Sequence, residues 1–283
     1  MDFLRPAGLR AALEMKAANP GAMPIAGGTD VMVELNFDHS RPEALLDLTL
    51  VAELTEWSAS DSVVTFGAGL PYTRVINELG TMLPGLAMAS RTVGSPQIRN
   101  RGTVGGNLGA ASPAGDTHPV LLACDAEVEV ASVRGTRTIP IASFYVGVKR
   151  NALAPDELIT AIRVPRATGP QQFSKVGTRN AMVIAVCSFG LALHPASRRV
   201  GAAIGSAAPT PRHATEAEEF VSGALDWDAR GPLDPSVQQQ FGTLVAAAAS
   251  PIDDVRGTAA YRQHALAVLA RRTLGWAWQE YRQ

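Results

Sequence analysis

The residues able to do chemistry gather in one run, Thr103-Val-Gly-Gly-Asn-Leu-Gly-Ala-Ala-Ser-Pro-Ala-Gly-Asp116. Small residues dominate it, so side-chain bulk is traded for access to the backbone. Gly105 and Gly106 tolerate positive φ and are expected to turn successive N–H groups toward one point, a nest suited to phosphate. Thr103 and Ser112 offer hydroxyls to phosphate oxygens. Asn107, Ser112 and Asp116 stand where short polar side chains reach sugar or polyol hydroxyls beside such an anion, and an ionised Asp116 accepts with charge-assisted strength. The same composition also suits a plain glycine-rich surface loop.

A second run, Met23-Pro-Ile-Ala-Gly-Gly-Thr-Asp-Val-Met32, places a short apolar segment before Gly27-Gly28 and a helix-forming segment after Thr29-Asp30. That order predicts strand, glycine turn and helix start, with Thr29 or Asp30 as cap and an anion over Gly27 and Gly28. No third glycine completes a dinucleotide fingerprint, and no GxxxxGK[ST] occurs. Two anion cradles in one chain point to a ligand with a diphosphate at its middle.

The elements that must position these residues follow from the rest of the 283-residue chain, long enough for two domains and 46% apolar. The pattern predicts a helix within 1–20, a strand at 23–26 and a helix at about 31–37. Strands are expected at 44–48, 62–66, 127–131, 138–141 and 158–164, with Gly135 as a hairpin turn and a helix at 73–79. Residues 165–170 read as a linker. Met182–Leu193 reads as one long strand paired with Val200–Ile204, and helices follow at 214–222, 236–249 and 258–281. The first domain is expected over 1–168, with lobe one at about 1–55 and lobe two at about 56–168; the second covers 171–283.

The net charge of −1 gives no field that would recruit nucleic acid or an anionic membrane. No signal peptide and no apolar run of about 18 residues is visible, which predicts a cytoplasmic chain. Cys124 and Cys187 are the only cysteines, read as buried thiols. An iron–sulfur cluster needs four thiolates, so any cluster in electronic contact with this chain belongs to another polypeptide. The histidines, at 39, 118, 194, 213 and 264, have no metal-ligand spacing. His118 lacks a neighbouring nucleophile and is not assigned as a base. Trp276 and Trp278 should face different sides of a helix, one of them as a contact surface.

Ile25-Ala-Gly-Gly-Thr-Asp30, Gln97-Ile-Arg-Asn-Arg-Gly-Thr-Val-Gly-Gly-Asn107 and Ser112-Pro-Ala-Gly-Asp116 resemble the paired FAD motifs of the molybdenum hydroxylases. The likeness is to the medium, FAD-binding subunit of xanthine dehydrogenase and carbon monoxide dehydrogenase. It continues through Asn151–Ile159, Phe173–Arg179, Ala207–Arg212 and Asp254-Val-Arg-Gly-Thr-Ala-Ala-Tyr-Arg262, nearly the whole chain in the family's order. The resemblance implies an α+β protein: a two-lobed FAD-binding domain of the vanillyl-alcohol oxidase-like (PCMH) type, then an α+β C-terminal domain. It implies FAD contacts from Ile25, Ala26, Gly27, Gly28, Thr29, Asp30, Thr103, Gly105, Gly106, Asn107, Ser112 and Asp116. Val93, Gly94 and Ile159 resemble residues lining the isoalloxazine ring, though core packing would equally explain them. Lys175 falls where the family often carries a lysine near the flavin, or is a solvated surface lysine. Arg99 and Arg101 flank the glycine run closely enough to steer a diphosphate or a partner subunit, and the partner role is preferred.

By the same resemblance, the partners are a large subunit with the molybdenum cofactor and a small subunit with [2Fe-2S] clusters, in a dimer of heterotrimers. Electrons would pass through FAD to NAD or another acceptor, with no catalytic side chain and no metal in this chain. The texture is most like xanthine dehydrogenase; carbon monoxide, nicotine, other N-heterocycle and aldehyde oxidations stay open. A stand-alone FAD oxidase of the same fold and a flavin-free scaffold are the rival readings.

Overall fold

A computed structural model describes all residues from 1 to 283. Lobe one is small. β1 (Asp2–Leu4), α1 (Leu9–Ala18), β2 (Met23–Ile25), α2 (Val31–Asn36) and β3 (Ala44–Asp47) form it, the strands pairing in parallel in the order β1-β3-β2. Its core holds seven buried apolar side chains, one of them Leu158 from lobe two. So few cannot stabilise a separate domain, and lobe one depends on its neighbour.

Lobe two carries β4 (Trp57–Ala59), β5 (Val63–Gly67), α3 (Tyr72–Glu78), α4 (Pro84–Thr92), α5 (Pro96–Arg101), α6 (Val104–Ala110) and α7 (His118–Ala123). It continues with β6 (Glu127–Ser132), β7 (Gly135–Pro140), β8 (Tyr145–Gly147), β9 (Arg150–Asn151) and β10 (Leu158–Pro165). An antiparallel sheet in the order β4-β5-β10-β6-β7 backs the helices. Val64, Phe66, Val128, Val130 and Ile162 from its inner face pack with Leu86, Leu108 and Leu121 of the helices. Gly135, at φ 133, makes the expected hairpin turn between β6 and β7.

After the 166–170 connection come β11 (Gln171–Val176), β12 (Cys187–His194), β13 (Arg199–Gly205), β14 (Arg212–His213), α8 (Thr215–Ala224), α9 (Pro235–Ala247) and α10 (Ala259–Arg282). The four strands form an antiparallel sheet in sequence order. Phe189, Leu191 and Ile204 bury one face of it under Phe241, Leu266 and Leu274 of α9 and α10. Its other face receives α7, whose six residues are all buried. Contact there is close because glycine permits it: a Cβ at Gly190 would lie 2.6 Å from Pro119 C and one at Gly201 2.0 Å from Ala123 O. The two domains are thus joined by a packed seam rather than by the linker alone. No helix is long and apolar enough to cross a membrane.

Three sequence expectations need correction. Gly105 and Gly106 are helical in α6 and neither has positive φ. Thr103 caps that helix by accepting from Gly106 N at 2.9 Å, and Gly105 N donates to Ala68 O at 3.2 Å, so these two N–H groups are spent internally. What Gly105 supplies is close approach, since a Cβ there would meet Ala68 O at 2.4 Å. Second, Asp30 precedes α2 without a side-chain cap bond. Third, the strand expected at 182–193 begins only at Cys187; Met182 takes φ 51 and residues 182–186 are irregular. β1, β4, β8, β9, β11, β14, α4, α5 and α6 are elements that the apolar spacing did not announce. Cys124 and Cys187 are free and buried, burial pushing both thiols up to about 12.

Candidate functional site

One cleft of about 880 Å³ runs between the lobes and reaches the second domain. The two glycine bends meet inside it. A Cβ on Gly27 would fall 1.9 Å from Arg101 O, and one on Gly102 would fall 3.2 Å from Thr29 Oγ1. β2 delivers the first bend, with Gly28 at φ 73, the left-handed conformation that glycine tolerates best. The N–H groups of Gly27, Gly28, Thr29 and Asp30 donate to no group of the chain, although the carbonyls of Gly28 and Asp30 accept the first bonds of α2. Because α2 spans only six residues, these bare donors, more than a helix dipole, provide the positive potential an anion needs.

Of the residues expected at the site, Ala26, Gly27, Gly28, Thr29, Asp30, Val93, Gly94, Thr103, Gly105, Gly106, Asn107, Ser112, Asp116 and Ile159 all line the cleft. Ile25 and Lys175 do not. Ile25 supports Gly28 from behind: a Cβ there would lie 3.6 Å from Ile25 Cδ1. Lys175, on β11, stands one layer back, with Nζ 2.6 Å from Asp116 Oδ2.

Asp116 is the electrostatic centre. It is 7% exposed; Thr92 Oγ1 donates to Oδ2 at 2.9 Å, and Oδ1 is buried with no partner. Burial pushes this carboxyl above the usual carboxylate range, while the Lys175 ammonium pulls it back. A buried carboxylate oxygen without a partner costs free energy until a donor reaches it. Asn107 accepts from Thr117 Oγ1 at 2.8 Å through Oδ1, which leaves its amide donors for a ligand. Ser112 Oγ accepts from Ala114 N at 3.3 Å, so its hydroxyl proton, like that of Thr103, is uncommitted.

Across the mouth, Lys149 Nζ meets Glu34 Oε1 at 2.7 Å and ties α2 to the β8–β9 turn. Burial and the neighbouring Glu34 raise the Asp30 carboxyl, with Lys149 opposing. Arg99 Nη1 donates to Val93 O at 3.1 Å and Gly94 O at 3.0 Å, shaping the turn that carries Gly94 at φ 48. His118 is wholly buried, Nδ1 sharing a 2.8 Å hydrogen bond with Tyr145 Oη, and burial pushes it down to about 3. A histidine so placed is neutral packing beside the loop. Lys16, Tyr72 and the wall at Met182, Val183 and Ile184 also line the cleft. Sequence reasoning missed them; the apolar wall was taken for strand, and a lone Lys16 within a helix carried no signal.

The geometry brings the unbonded backbone donors of Gly27 to Asp30, which suit an anion, and the buried Asp116 carboxyl to the walls of one cleft. Comparison with known proteins agrees. Residues 1–167 match the family described as the FAD binding domain in molybdopterin dehydrogenase, and residues 172–277 match the CO dehydrogenase flavoprotein C-terminal domain. The nicotine 6-hydroxylase medium subunit of Paenarthrobacter nicotinovorans is 30% identical over 96% of this chain and 95% of its own. The xanthine dehydrogenase FAD-binding subunit of Escherichia coli is also 30% identical, over 96% and 94%. Among solved structures, a carbon monoxide dehydrogenase of Hydrogenophaga pseudoflava superposes with a TM-score of 0.89 at 25% identity, covering 99% of this chain and 98% of that one. The chain belongs to the FAD-binding medium subunits of the molybdenum hydroxylases, and its cofactor is FAD. It is a flavoprotein subunit of an oxidoreductase, with the α+β, two-domain architecture of that family.

Proposed function

We propose that this chain holds FAD as an electron carrier between a [2Fe-2S] partner subunit and a final acceptor, NAD or another. A large subunit with the molybdenum cofactor would carry out the hydroxylation, in a dimer of heterotrimers in the cytoplasm. The substrate class is taken as an N-heterocycle, xanthine first. Relatives named for nicotine, nicotinate and xanthine support the class. Residues 1–168 would form the flavin domain and 171–283 the domain closing its far side.

One observation carries the reading: residues Gly27 to Asp30, with unbonded N–H groups, and Asp116, with a buried Oδ1 that has no partner, line the same cleft. FAD carries an anion and hydroxyl donors that match these two features, and when bound it supplies the exchange of single electrons for pairs. The chain's own tasks are to bind and orient. Gly27 to Asp30 would donate to diphosphate oxygens, Asp116 would accept from ribityl hydroxyl, and Val93, Gly94 and Ile159 would give the ring a largely apolar seat. No side chain need transfer a proton.

The test is a visible-absorbance titration of the purified chain with FAD, followed by anaerobic addition of NADH. Stoichiometric FAD uptake and bleaching by NADH support both parts. Uptake without bleaching keeps the flavin subunit and removes NAD. Absence of uptake removes the proposal. Isolation from its native host together with two further chains, one containing molybdenum and one iron, would support the assembly.

A further inference from the structure

The segment from Asp254 to Arg262 matches the family's sequence, yet none of its residues lines the cleft. Its structure suggests why those residue types stand there. Arg262, on α10 and 3% exposed, donates from Nη1 to Val186 O at 2.7 Å and to Ser206 O at 2.6 Å. Its Nη2 donates to Asp254 Oδ1 at 2.5 Å, and that same oxygen accepts from Arg256 N at 2.8 Å. Ser206, at φ 58, carries the contact outward. Its hydroxyl donates to Ala185 O at 2.6 Å, and its N–H donates to Pro113 O at 2.8 Å.

The two targets belong to different walls of the cleft. Ala185 and Val186 are the foot of the Met182–Ile184 wall, and Pro113 lies within the Ser112–Asp116 wall. One buried guanidinium, acting directly on Val186 and through Ser206 on Ala185 and Pro113, therefore fixes the separation of both walls. A planar fork can serve two carbonyls and a carboxylate at once, which a lysine ammonium cannot reproduce. We propose that Arg262 is a positioning residue for the flavin: it sets, from behind the cleft, how closely the apolar wall and the Asp116 loop enclose the ring. Ser206 is the relay and Asp254 the anchor. The inference rests on the FAD reading above.

The experiment compares full-length wild type with Arg262→Lys, Ser206→Gly and Arg271→Ala. Glycine suits the positive φ at 206 and deletes the hydroxymethyl group while keeping the N–H that bonds Pro113 O. Arg271 lies on the same helix but bonds Gln239 at 2.6 Å on an exposed surface, so it controls for general effects on α10. Each chain is loaded with FAD, and the dissociation constant and iodide quenching of flavin fluorescence are read. Arg262→Lys should bind FAD about tenfold more weakly and admit more iodide to the bound ring. Ser206→Gly should raise quenching alone, and Arg271→Ala should match wild type. Folded Arg262→Lys with wild-type affinity and quenching overturns the proposal. Should that variant fail to fold, Ser206→Gly decides: unchanged quenching overturns, raised quenching supports. Wild type that takes up no FAD would instead refute the underlying reading, a result distinguishable from either.

Discussion

At the scale of single residues, Asp116 is exceptional because it is buried, paired on one oxygen and open on the other. If Oδ1 accepts a ligand hydroxyl, Asp116→Ala should weaken FAD binding by about tenfold or more, equivalent to about 1.4 kcal/mol. His118→Asn, which preserves an acceptor for Tyr145, should leave the affinity within about twofold. Equilibrium dialysis with FAD decides, and equal losses in both would remove Asp116 from its assigned place. His118 has a separate consequence for stability. Its folded value is held near 3, below the ordinary 6.5, so folding favours the neutral ring. The contribution is complete above about pH 6.5 and is lost as pH falls toward 3, at a limiting slope of about 1.4 kcal/mol per pH unit. Urea unfolding from pH 7 to 4 should therefore fall more steeply for wild type than for His118→Asn; parallel curves would contradict the burial argument.

At the scale of elements, the site is made by strands and short helices brought into backbone contact. Gly27 is the tightest joint, because an added methyl would occupy the space of the Arg101 carbonyl. Gly27→Ala should push the two bends apart, lower the melting temperature by several degrees and cost FAD affinity more than about tenfold. Gly223→Ala is the matched control: it lies in α8 with nothing within 4 Å of the new Cβ. It should stabilise by about 0.5–1 kcal/mol and leave FAD binding unchanged. Calorimetry of both variants with and without FAD makes the comparison, and a neutral Gly27→Ala would show that the bends are not in contact.

Most of these elements were legible from spacing alone. Thr73–Leu79 stopping at Gly80, the 127–131 and 158–164 strands, and the last helix all carry strong local periodicity, and α3, β6, β10 and α10 lie where expected. The glycine bends were legible as access points. Their mechanism at Gly105 was not, because close approach to Ala68 is a tertiary fact that spacing does not encode. The Met182–Ile184 segment misled for a similar reason. Three consecutive β-favourable residues read as strand, whereas their apolar surface lines a cleft built by distant parts of the chain. Lys175 could be placed near the flavin only by likeness to relatives, and its pairing with Asp116 needed the fold. Trp276 and Trp278 separated as their spacing implies, 50% and 2% exposed.

At the scale of the whole molecule, a packed seam and two ion pairs, Lys175–Asp116 and Arg199–Asp125, connect the flavin domain to the second domain. α7 lies against β12 and β13, and Lys175 reaches across to Asp116. Lys175→Met would leave that carboxylate buried without its cation, a loss of about 3–5 kcal/mol by analogy with broken buried pairs. With the cation gone the carboxyl rises further, so the folded variant holds its proton more tightly than the unfolded chain. A group raised in this way loses stability as pH increases. The deficit of Lys175→Met relative to wild type should thus be smaller at pH 5 than at pH 8 in chemical denaturation. A constant deficit would show that the pair is not the source. Two domains clamped around one cleft also explain how residues from both can shape one cofactor site.

The most direct measurement is a crystal structure of the chain grown with FAD. The account predicts diphosphate oxygens about 2.7–3.2 Å from the N–H groups between Gly27 and Asp30, and a flavin-side hydroxyl donating to Asp116 Oδ1. FAD bound elsewhere, or bound here with those donors and that oxygen still unpaired, would contradict it.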